Sequence, residues 1–258
     1  MIPDSFAKAF LGCRQRSHLL LIAVALGFPA ASVAQADSSL IQTGNSGAAK
    51  YSVQTVSETN LTVTLVTGLL SIEHDMMLGN LFLRSGMENP DGSHFNDPRK
   101  DRYPLIKADL MAAGVPDLEP LLIALEDAKD EAAVNDAYLA MVSALKIATQ
   151  SLKPTERDIL AAVILTTEEA AGMIDASGTT DVKLYQECWG LMMVARSTLD
   201  TLMKAEDPAV KKSAEGMAAA YDDAIIALPD PVVSAPVAFD PAILHALIAV
   251  LNGDISET

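Results

Sequence analysis

Apolar residues recur at helical spacing from about Val53 to Leu83: Leu61, Leu65, Leu69, Ile72 and Met76 form one stripe, with Leu70, Met77 and Leu81 beside it. The Thr/Val-rich run TNLTVTLVT has strand propensity, but the sustained 3.6-residue period decides for helix. Gly86 reads as its stop and ENPDGS as a turn. A second helix is predicted over Arg99–Ala113, with Pro104 in its first turn and Gly114-Val115-Pro116 closing it. Helices over Leu118–Asp127 and Glu131–Leu152 follow, the latter with Ala132, Ala137, Met141, Leu145 and Ala148 in line. Pro154-Thr155 opens a helix running to Ile174, ASGTT breaks it, and Asp181–Lys204 is again amphipathic. Pro208 starts a helix with Val210, Ala214, Met217, Tyr221 and Ile225 on one face.

No alternating apolar run is bounded by hairpin signals, and there is no GxGxxG, P-loop or GxSxG motif. The pattern predicts an all-α fold, a helical bundle of about five to seven helices. Its C-terminal extension is proline-rich (PDPVVSAPVAFDP, 229–241), favouring extended backbone, and leads to a short apolar helix, Ala242–Leu251. That helix either packs back on the bundle or docks a partner, and the cost of exposing its apolar face favours packing back.

The N-terminus changes the accounting. Lys8, Arg14 and Arg16 precede an apolar run, Leu19–Phe28, too short to span a bilayer, and Ala34-Gln35-Ala36 is a small-x-small cleavage pattern. Residues 1–36 are therefore expected to be a signal peptide cleaved after Ala36, 37–52 a flexible leader, 53–228 the bundle and 229–258 the linker with its helix. Export to the periplasm follows, with no membrane span after cleavage. Cleavage takes three of the 18 Lys+Arg and one of the 34 Asp+Glu, leaving 15 against 33, a formal charge of −18. Such acidity argues against nucleic-acid or anionic-membrane partners and suits cationic ones or metal ions. One cysteine, Cys188, remains, so neither an internal disulfide nor a thiolate cluster is expected; its apolar neighbours suggest a small buried hydrophobe.

The chemistry concentrates between Leu70 and Tyr103. On a helical wheel His74 falls among Leu70, Met77, Leu78 and Leu81, so its ring points inward. It is either a core histidine bonded to a carbonyl or carboxylate, or a ligand to metal or haem iron, with Met77 one turn on as a soft co-ligand for copper. His94 lies in the expected loop GSHFNDPRKDRY with Asp97, Asp101, Arg99, Arg102 and Tyr103; this is a salt-bridged turn, or a loop that folds over the helix and brings His94 to His74. Glu168 or Glu169 faces inward to complete a His/carboxylate site, although the Glu-x-x-His repeat of di-iron bundles is missing. Arg196 either pairs with those glutamates or reaches to the surface. Without CxxCH there is no covalent haem.

The spacing of His74, Gly79-Asn80-Leu81, Gly86, His94-Phe95, Pro98 and Tyr103 resembles an uncharacterised group of exported proteobacterial all-helical proteins, over residues 65–150. In that group a helix histidine is followed by an HF-x-[HD]-P loop. Glu73 stands here in place of a glycine and Asp97 in place of a second loop histidine, one nitrogen exchanged for an oxygen. The resemblance implies no particular activity.

These observations favour a non-enzymatic periplasmic binding protein for a metal ion or metal cofactor (copper, iron, zinc or non-covalent haem). Its candidate ligands are His74, His94, Met77, Asp97 and Tyr103. The alternatives are an interaction protein that docks a periplasmic partner through its C-terminal segment, and a hydrolase using His94 with Asp97 or Asp101, for which no nucleophile has a convincing setting.

Overall fold

A computed structural model of the chain describes residues 60–85 and 93–256. The predicted signal peptide, the leader, the first turn of the long helix and the Gly86 stop with its following turn lie outside the described residues.

Helix α1 (Leu61–Ser85) begins where the Asn60 side chain accepts a hydrogen bond from Thr62 N at 3.0 Å. Thirteen of its 25 residues are buried, and most of these lie in its middle, as expected of a helix that partner helices surround. Leu65, Leu69, Ile72 and Met76 face one apolar cluster, while Leu78 and Phe82 face another. Among the described residues α1 alone is long and apolar enough to cross a membrane, but here its faces are taken up by the bundle.

The predicted stripes become the cores of two layers that share α1. On one side pack α3 (Tyr103–Ala112), α4 (Glu119–Asp127) and α5 (Glu131–Leu152), through Ile106, Leu110, Leu122, Leu125, Met141, Leu145 and Ala148. The buried stripe of α5 starts at Val134, and Ala132 is exposed. On the other side pack α6 (Glu156–Gly172), α7 (Val182–Leu202) and α8 (Pro208–Ala227). Each long helix here has a local start signal. Thr155 and Asp158 form a capping box on α6, and Asp130, Asp181 and Asp207 cap α5, α7 and α8.

The proline-rich stretch returns to the bundle. Val237–Ala238 (β2) pairs antiparallel with Thr179–Thr180 (β1), and Phe239 N donates to Gly178 O at 2.9 Å. Gly178 has φ +80°, a conformation that costs a side-chain-bearing residue energy. Helix α9 (Ala242–Ser256) then buries Leu244, Leu247 and Leu251 against α8 and α6. The expectation that this helix packs back is met.

One segment departs from expectation. Where a loop to about residue 98 and a helix from Arg99 were predicted, a short helix α2 (Ser93–Asp97) runs into a π-helical turn, Pro98–Arg102, and then into α3. A π turn widens the backbone and re-aims the side chains after it, and such turns recur at functional sites. Here it turns Arg102 toward the centre and puts Tyr103 on the apolar side.

Candidate metal centre

The long helix presents Ser71, His74 and Asp75 at i, i+3 and i+4, hence on one face. That face meets Glu169 of α6 and Lys183 and Glu187 of α7, while α2 and the π turn cover it with His94, Asp97 and Arg102. His74 and Asp75 are fully buried, His94 and Glu187 nearly so.

His74 Nε2 bonds Glu187 Oε2 at 2.9 Å and stands 3.3 Å from Asp75 Oδ1. His94 Nδ1 lies 3.6 Å from Glu187 Oε1 and 3.8 Å from Asp75 Oδ1. The Arg102 guanidinium bonds Glu169 Oε1 at 2.7 Å and Glu187 Oε2 at 2.9 Å, and its Nε is 3.6 Å from Asp75 Oδ2. Ser71 Oγ donates to the other Glu169 oxygen at 2.9 Å. At the outer edge Lys183 Nζ pairs with Asp97 Oδ2 at 3.1 Å.

Two features set this cluster apart from an ordinary salt-bridge network. Asp75, Asp97, His94 and Glu187 each offer a donor atom, and the four atoms all lie within 4.8 Å of one another. Among the described residues, neither oxygen of the fully buried Asp75, nor His74 Nδ1, has a hydrogen-bond partner. A buried carboxylate left so costs several kcal/mol unless a cation or donor compensates it.

The electrostatics agree with the geometry. Burial alone pulls the His74 imidazole down, but Asp75 and the Glu187 hydrogen bond outweigh it and raise its pKa above the ordinary value. Burial pushes Glu187 up, yet the His74 hydrogen bond and charge, with Arg102, hold the carboxyl below the usual range. Burial raises Asp97 despite its Lys183 partner.

The predicted site residues divide. The structure brings His74, His94 and Asp97 together. His94 sits on helix α2 with its side chain 2 % exposed, not on an open loop, and its ring packs on Phe82 with centroids 5.3 Å apart. Met77 packs against the apolar clusters around α6 and α7. Tyr103 is committed elsewhere: its hydroxyl donates to Asp117 Oδ1 at 2.6 Å and accepts from Leu118 N at 2.9 Å. Glu169 is the inward member of the Glu168-Glu169 pair, and Arg196 pairs with Asp200 and Asp222 away from the site. Cys188 is a buried apolar side chain, its thiol pushed up to about 12 by burial.

Sequence reasoning missed Asp75 and Glu187. A signal existed: Glu187 shares a face with Gly190, Leu191 and Val194, an acidic residue on an apolar stripe, and Asp75 adjoins the inward histidine. Comparison of the chain with family models, curated proteins and solved structures finds no match.

Proposed function

We propose that this protein is a periplasmic, non-enzymatic binding protein that holds one divalent transition-metal ion through Asp75, His94, Asp97 and Glu187. The convergence of those four donors, three of them buried, around an Asp75 whose oxygens accept no hydrogen bond among the described residues carries the reading. His74 bonds Glu187 and orients it, the part outer partners play around metal ligands. Three carboxylates and one imidazole form a hard-to-borderline set that suits zinc, iron(II) or manganese(II). Copper(I) would need a soft ligand, and Met77 packs among apolar side chains. Donors drawn this close enclose a bare ion rather than a porphyrin plane. Burial on a rigid helical scaffold, with Lys183 and Asp97 at the rim, favours retention of the ion over turnover of a substrate.

The test is elemental analysis of the mature protein isolated without chelator or tag, followed by titration of the metal-stripped protein with zinc(II) and manganese(II). A near-stoichiometric ion in wild type, lost in Asp75→Asn and Glu187→Gln, supports the reading. A folded wild type that takes up neither ion reduces the cluster to an internal ion-pair network.

A further inference from the structure

We propose that the Arg102 guanidinium occupies the second cation position of a carboxylate-bridged pair, and so fixes the capacity of the site at one metal ion. This rests on the metal-binding reading above.

The cluster has two halves that share the same two carboxylates. Glu187 turns Oε1 toward His94 (3.6 Å) and Oε2 toward Arg102 and His74 (2.9 Å each). Asp75 likewise places Oδ1 toward the histidines and Oδ2 toward Arg102 (3.6 Å). A carboxylate offering one oxygen to each side is the arrangement that bridges paired cations about 4 Å apart. On the first side His94 and Asp97 complete a ligand set. On the second, Glu169 stands where a further ligand would be, His74 lies between the two halves, and the guanidinium fills the space between Glu169, Glu187 and Asp75.

Charge points the same way. Four carboxylates (Asp75, Asp97, Glu169, Glu187) face two fixed cations, Arg102 and Lys183. Counting these fixed charges alone, the balance is two negative charges, which one divalent ion closes. A second ion beside Arg102 would leave the pocket positively charged in a low-dielectric interior. Arginine suits this post because it stays protonated and its planar fork engages several carboxylates at once. The π turn is what delivers it: Arg102 is the last residue of that turn.

The experiment uses manganese(II) alone, on the metal-stripped full chain, reading ions bound per chain and the electron paramagnetic resonance spectrum. Wild type and Arg102→Lys are expected to bind one ion with an uncoupled spectrum. Arg102→Ala is expected to bind two, with the signature of exchange-coupled ions. Arg102→Ala leaves buried carboxylates unpaired and is expected to lose helical signal without metal and regain it with manganese. A variant that stays unfolded at saturating manganese, or refolds with only one ion, overturns the proposal, and so does a second ion in wild type or Arg102→Lys. A wild type that binds no manganese sinks the metal reading itself, and this inference with it.

Discussion

Gly190 on α7 lies directly against His74 on α1: a Cβ at position 190 would stand 3.1 Å from His74 Cδ2 and 2.9 Å from Leu78 Cδ1. The missing side chain is the space in which the imidazole reaches Glu187. Alanine would gain up to about 1 kcal/mol of helix propensity, but displacing two fully buried side chains costs about 1–3 kcal/mol. Gly190→Ala is expected to lower the urea midpoint and weaken metal binding together. A variant that is more stable and binds metal as wild type does would show that the His74 position is not set by this contact.

Glu187 serves His74 and Arg102 at once, with its side chain 6 % exposed. Glu187→Gln keeps the shape and removes the charge, leaving Arg102 to Glu169 and Asp75. Breaking one partner of a buried pair costs about 3–5 kcal/mol. Chemical denaturation of the metal-free protein measures this, and a loss below about 1 kcal/mol would place the pair among weak surface bridges.

Asp117 holds the Tyr103 hydroxyl, and that bond, with the Glu119 backbone N–H and Lys107, lowers its pKa from 3.8 to about 2. Its folded value is depressed, so its contribution to stability is present above pH 3.8 and lost as pH falls through about 2. Asp117→Asn should therefore be less stable than wild type at neutral pH, the gap closing between pH 4 and 2. A gap that persists unchanged at the acid end would assign the effect to packing rather than to the carboxylate.

Leu244 on α9 is fully buried in the core built by α6, α7 and α8. Leu244→Ala is expected to cost about 2–5 kcal/mol, and deletion of residues 241–258 to lower the melting temperature of the whole bundle. Unchanged thermal unfolding after the deletion would revive the C-terminal segment as a free docking element.

Much of this molecule is written locally. Apolar spacing, the aspartates before α5, α7 and α8, and the Thr155–Asp158 box delimit helices within a few residues, because each depends on side chains three or four positions apart. The same periodicity turned His74 inward. It also misplaced the start of the helix after the loop, since a π turn leaves no mark in a 3.6-residue pattern.

What the sequence by itself determined is most of the apolar positions that face inward on each helix, and that a histidine, His74, is among the inward side chains. Which faces meet was decided only by the tertiary structure. His74 finds Glu187 across 113 residues of chain, Ser71 finds Glu169 across 98, and Arg102 joins both glutamates. Periodicity gives the direction of a side chain around its own axis, and nothing about the distance to another helix. A buried carboxylate becomes a metal donor or an ion-pair partner according to what packs opposite it, and packing is a property of the assembled bundle.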